Sequence, residues 1–248
     1  MTLYLKGFKK MIIIPARLAS TRFPQKVLAD IGGLPMVVRT AKRVAHLDRV
    51  VVAADDEKII STCKEHGIEA MLTSTTHKSG TDRINECATI LHVNDEELII
   101  NVQADEPFIE PDVVESLMKR LKSLQANNEE FIMGSCYNAI NADSAEDPNL
   151  VKVVLDNDDS AIYFSRSKIP YNQGGGAKYF GHIGIYGFSK KSLKEFCNLN
   201  DAPIEDIEKL EQLRAIYHQK KISMVKVDST GFGIDTKEDL QRAIEVFL

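Results

Sequence analysis

Cysteine is scarce. The four present, Cys63, Cys87, Cys136 and Cys197, include no pair close enough for a CxxC motif, and no histidine–cysteine cluster has zinc spacing. The thiols therefore read as free and buried, in a reducing compartment. Long apolar runs are also missing. Runs such as 11–14 and 50–54 fall far short of the ~20 residues that a membrane-spanning helix needs. There is no basic excess: 31 Lys and Arg stand against 36 Asp and Glu, a formal net charge of -5, which argues against a generic nucleic-acid binder. The first ten residues, MTLYLKGFKK, lack the apolar core and small-residue cleavage site of a signal peptide. They read as a short disordered extension, with the start open between Met1 and Met11 and the domain running over 11–248.

What is present is an ordinary soluble composition in a chain of 248 residues, long enough to bury roughly 70–75% of its unfolded surface without disulfides. Apolar patterning alternates between strands and helices. Strands are expected at 11–14, 49–53, 69–72 and 98–102, the last fully buried. Helices are expected from Pro35, over 56–66 with an acidic first turn, and from Asp112 with Val113, Leu117, Leu121 and Leu124 inward. The fold class is thus α/β, a mostly parallel sheet with helices on both faces, whose ligands bind beyond the carboxyl ends of the strands. The second half is richer in strands (151–155, 161–164, 183–188, 222–227) and suggests an inserted lobe near residues 130–200. A long amphipathic helix is expected over 204–218, with Ile207, Leu210, Leu213 and Ile216 or Tyr217 inward, and residues 173–176 form a flexible loop and a candidate lid.

Five segments carry chemistry. The first strand runs into PARLASTRFPQK, which places Arg17, Arg22 and Lys26 beside Ser20 and Thr21. Guanidinium forks, an ammonium and hydroxyls suit a polyphosphate, although the loop is neither GxxxxGK[ST] nor GxGxxG; a solvated basic loop is the alternative. In NVQADEP, Asp105 and Glu106 directly follow a buried strand, a position that suits a hard cation beside a phosphate or a cap before Pro107. In GIDTKEDL, Thr236 and Asp239 have capping-box spacing, and the preceding Asp235 is either a second metal ligand or a turn residue. In SGTDR, Ser79, Thr81 and Arg83 can meet a base edge, or the segment is simply a helix start with Asp82 in its first turn. Last, SRSKIP, GHIGIYGF and EKLEQLR set Arg166, His182, Tyr186, Glu211 and Gln212 among apolar residues. Arg166 suits a carboxylate or a salt bridge, His182 a sugar hydroxyl or a core partner, and Glu211 and Gln212 suit a ligand or a helix surface.

Taken together, these blocks and AADDEKI (53–59), PNLVKVVLD (148–156), AIYFSRSKIPY (161–171) and EKLEQLRAIY (208–217) resemble the 3-deoxy-manno-octulosonate cytidylyltransferases, or CMP-KDO synthetases, from Met11 nearly to the end and in the family's order. The resemblance implies a nucleotide-diphospho-sugar transferase-like fold, a cytoplasmic homodimer, and transfer of CMP from CTP to KDO with release of pyrophosphate for lipopolysaccharide synthesis. It implies Mg2+ as cofactor, held by Asp105 and Asp235, and no nucleic-acid partner or membrane insertion. It matches Arg17, Ser20, Arg22 and Lys26 to the triphosphate, and Ser79, Thr81 and Arg83 to the cytosine side. Gln103, Arg166, His182, Tyr186, Glu211 and Gln212 match the sugar side. Two positions depart from the family pattern: Ala104 and Gln25 stand where glycine is usual. CMP activation of 8-amino-KDO or sialate, and a non-catalytic nucleotide-binding regulator on the same fold, remain open alternatives.

Overall fold

The computed structural model describes residues 10–20, 23–229 and 233–247. The N-terminal extension, Thr21, Arg22 and the start of the GFGID segment therefore lie outside the described residues, apart from Lys10. Among the described residues no helix is long and apolar enough to cross a membrane.

The chain divides into two compact units. The first comprises residues up to Pro107, Ser189–Lys191 and Gly233–Leu248. Its centre is a parallel sheet in the order Leu98–Asn101, Lys10–Ala16, Val50–Ala54, Ala70–Leu72. Ile12, Ile13 and Ile14, Val51 to Ala54, and Leu98 to Ile100 are fully buried, as expected of strands covered on both faces. Three helices serve this sheet: Met36–Val44, Glu57–Glu65 and Gly80–Ile90. Asp56 caps the second, its side chain accepting from the backbone N–H of Lys58. The expected strand and helix bounds hold to within a residue or two. The helix at Gly80–Ile90 is longer than the helix start legible in SGTDR.

The second unit comprises Phe108–Phe188 and Ser192–Phe232, and so begins well before residue 130. Met133–Ile140 pairs in parallel with Ile222–Lys226 and antiparallel with Tyr179–Ser189. Lys152–Leu155 and Ala161–Ser165 form an antiparallel pair joined to the same sheet. Helix Pro111–Ala126 packs onto Met133–Ile140 so closely that a Cβ on Gly134 would lie 2.7 Å from Leu121 Cδ2. Val113, Leu117, Leu121 and Leu124 face inward as their spacing predicts.

The single long helix expected over 204–218 is a misreading. The structure has two short helices, Pro203–Glu208 and Leu213–Tyr217. Lys209 takes the left-handed conformation at φ 53°, and the Leu210 N–H turns back to the Glu205 carbonyl, which ends the first helix. The break rotates the apolar stripe. Leu210 and Leu213 are buried, but Ile207 is 80% exposed and Tyr217 51% exposed. Residues 173–176 lie in an exposed loop in which Asn172 accepts from the Ala177 N–H at 3.2 Å.

Candidate active site

In the first unit, loops at the carboxyl ends of the parallel strands surround a pocket of about 350 Å³. Arg17, Ser20 and Lys26 reach it from the loop after Lys10–Ala16, and Ser79, Gly80 and Arg83 from the start of the Gly80–Ile90 helix. Gln103, Asp105 and Asp235 complete it. Arg22 lies outside the described residues. His77 and Lys78 also line the pocket; they were passed over in the sequence because they belong to no recognisable motif.

At the centre is an ammonium between two carboxylates. Lys26 Nζ donates to Asp105 Oδ2 at 2.7 Å and to Asp235 Oδ1 at 2.9 Å. The two acids therefore stand no farther apart than these two bonds laid end to end. Burial works to lower the Lys26 pKa, but attraction and hydrogen bonds from Asp105 and Asp235 outweigh it and hold the pKa above the ordinary lysine value. Local structure fixes each partner. The Ile234 N–H donates to the Asp105 carbonyl at 2.9 Å, which ties the two acid loops together. The expected capping box forms: the Asp239 N–H donates to Thr236 Oγ1, while Asp239 Oδ2 accepts from the N–H groups of Thr236 and Asp235. That places Asp235 at a rigid helix entry.

Gln25, which precedes the lysine, holds φ 55°, a left-handed conformation that glycine adopts freely and glutamine at a cost of about 1–2 kcal/mol. The backbone thus keeps a glycine-like shape without the glycine. Ala104 is buried, has no positive φ, and its carbonyl accepts from Thr40 Oγ1 at 3.0 Å, so its methyl group imposes no backbone strain.

On the SGTDR side, Ser79 caps the helix by accepting from the Asp82 N–H at 3.1 Å and donates to Asp82 Oδ2 at 3.0 Å. Thr81 is buried in the first turn and does not line the pocket. Arg83, 4% exposed, donates to Thr73 Oγ1, the Ser74 carbonyl and Asp55 Oδ2. Its desolvation lowers the guanidinium pKa, against the pull of Asp55. Asp55 also accepts from the Leu18 N–H at 2.9 Å and so anchors the basic loop. Sequence reasoning missed that role. The available signal was a carboxylate directly after a buried strand.

The remaining residues lie in the second unit. Tyr186 donates to Gln212 Oε1 at 3.2 Å, and burial, with the nearby Glu211 carboxylate adding to it, pushes the phenol pKa up. Gln212 is 3% exposed, and its Nε2 is buried without a hydrogen-bond partner. An orphaned buried donor is costly unless a ligand atom satisfies it. The His182 and Tyr186 rings lie 5.6 Å apart. Desolvation pushes the His182 pKa down to about 3, so its imidazole is neutral at physiological pH. The Arg166 guanidinium is held by backbone: its Nε donates to the Glu208 carbonyl at 2.8 Å and a terminal nitrogen to the Pro148 carbonyl at 3.1 Å. Glu211 and Gln212 occupy the turn between the two short helices rather than a helix surface.

A family model described as cytidylyltransferase matches residues 11–222. The chain is 53% identical over 232 residues to the 3-deoxy-manno-octulosonate cytidylyltransferase of Nitratiruptor sp., covering 94% of this chain and 97% of that one. It is 50% identical over 241 residues to the protein of the same name from Wolinella succinogenes, covering 96% and 99%. A solved structure of CMP:2-keto-3-deoxy-manno-octonic acid synthetase complexed with CTP superposes with a TM-score of 0.89 at 36% identity, covering 96% of this chain and 98% of that one.

Proposed function

Because the chain belongs to the 3-deoxy-manno-octulosonate cytidylyltransferase family, we propose that it transfers CMP from CTP to the anomeric hydroxyl of KDO. The observation that carries this reading is the pocket in which Lys26, Arg17, a helix amino terminus and the Asp105–Asp235 pair face one another. The sugar oxygen attacks the α-phosphorus, the bond to the leaving phosphate breaks, pyrophosphate departs, and the hydroxyl proton is lost. Sugar carboxylate and triphosphate are both anionic, so the protein's task is charge neutralisation and alignment. Arg17 and the N–H groups at the start of Gly80–Ile90 suit the phosphates, and Arg22 is assigned to them by the family pattern alone. Lys26 brings its charge beside the same phosphates. Ser20 adds a hydroxyl at the pocket wall, and Ser79 and Arg83 line the wall assigned to the cytosine, with Thr81 buried in the same helix turn. Gln103, Tyr186, His182, Glu211, Gln212 and Arg166 are the sugar side of the proposal, and the unpartnered Gln212 Nε2 supports a ligand there.

Two carboxylates within reach of one cation are the donor set that magnesium takes beside phosphates. Asp105 and Asp235 fit that role, with Lys26 as the cation now between them. Bound there with CTP, magnesium would neutralise phosphate charge and lower the pKa of the attacking hydroxyl. The proposal includes a homodimer as the working form and the cytoplasm as its place; the free thiols, three of them buried, agree with a reducing compartment.

The test is pyrophosphate release. It should require CTP, KDO and magnesium together and fall sharply with UTP or sialate. CTP binding without turnover would select the regulator instead, and faster turnover of 8-amino-KDO would reassign the sugar.

A further inference from the structure

The Tyr179–Ser189 strand carries an irregularity. Ile183 pairs with Cys136, yet the adjacent Ser135 pairs with Tyr186, so Gly184 and Ile185 are extra residues on one strand. The bulge lies between His182 and Tyr186, whose rings stand 5.6 Å apart, and bulges are common where a strand re-aims a side chain.

A bulge also strips carbonyls of their ladder partners. Ser135, fully buried, answers that need: its Oγ lies 2.7 Å from the Ile185 carbonyl and 3.3 Å from that of Ile183. The same Oγ lies 2.8 Å from His182 Nε2. A serine hydroxyl has one proton, and a carbonyl can only accept. Two oxygens 2.7 Å apart repel unless that proton lies between them, so Ser135 donates to Ile185. His182 Nε2 must then be the donor in its contact with Ser135. A neutral imidazole protonated at Nε2 has a bare lone pair on Nδ1, to which no described residue is bonded.

We propose that Ser135 is a positioning residue for the sugar side: through the bulge it locks His182 in the Nε2–H tautomer, so that Nδ1 accepts a hydrogen bond from a substrate hydroxyl. Replacement of the lock would leave either ring nitrogen free to carry the proton, and the wrong tautomer presents a donor to a donor. This inference rests on the sugar-side reading of His182, but the state of the lock is measurable without any substrate.

The experiment is long-range 1H–15N correlation on histidine-labelled full-length protein, with the His182 signal assigned by its loss in His182→Asn. Wild-type protein at neutral pH should show the Nε2–H tautomer; a predominant Nδ1–H form or an imidazolium overturns the proposal. Ser135→Ala should show mixed tautomers and a KM for KDO raised about tenfold, with the KM for CTP unchanged. Ser135→Thr, which restores the hydroxyl, should recover both. A single Nε2–H tautomer and an unchanged KDO KM in a folded Ser135→Ala protein would also overturn it. If Ser135→Ala does not fold, the wild-type spectrum still decides. If the tautomer is as stated but KDO, added with a non-transferable CTP analogue, leaves the His182 signal unmoved, the sugar-side reading fails and the acceptor role with it, while the lock itself stands.

Discussion

Replacing Asp105 with alanine should lower kcat for CMP transfer by ~10²-fold or more at saturating CTP and KDO, the scale expected when a group that organises transition-state charge is lost. The carboxylate is one of two that converge on a single cation, and its Oδ2 is 2.7 Å from Lys26 Nζ. Without it, Asp235 and Lys26 form a simple ion pair, and one charge cannot both neutralise the ammonium and hold a divalent ion. The fold should survive. The side chain is 32% exposed, and the bond that joins the acid loops uses the Asp105 backbone carbonyl, which alanine keeps. Thermal unfolding beside the turnover assay separates the two effects. Near-normal turnover in a folded variant would remove Asp105 from the chemistry.

Lys26→Met should have two effects of opposite sign. Turnover should fall by ~10²-fold and the CTP requirement rise, because an ammonium beside the phosphates is gone. Metal binding in the absence of CTP should tighten, by about tenfold for Mn2+ as a probe. Two carboxylates held this close repel, and in wild-type protein Lys26 relieves that repulsion and so competes with any other cation. Methionine is close to lysine in length and removes the competitor without emptying a position that is 9% exposed. Unchanged Mn2+ affinity would mean that the lysine and the metal do not share the acid pair.

Much of this site was legible residue by residue, but its assembly was not. Lys26 and Arg17 stood out in a loop after a buried strand, and Asp105 in the loop after another, because α/β sheets put ligands at those ends. That Lys26 sits between the two aspartates was invisible: the contacts join residues 79 and 209 positions apart, beyond any local pattern. The Thr236–Asp239 box was legible because capping is a three-residue matter. The broken helix at Lys209 was not, because Leu210 and Leu213 continue an apolar rhythm across a break that a single left-handed residue makes. Met133–Ile140 escaped notice because its sequence, MGSCYNAI, has little β-branched character, and the partner strands and the close-packed helix, not propensity, hold it in place. Gln25 is a similar case: its side chain points to no special backbone, yet the turn imposes φ 55°.

The most direct test of the account is equilibrium dialysis of Mn2+ against CTP-loaded protein, comparing wild type with Asp105→Asn/Asp235→Asn at equal bound CTP. Wild-type protein should retain clearly more Mn2+ per bound nucleotide than the double variant. Equal retention would show that CTP alone carries the ion and that the two aspartates do not hold it.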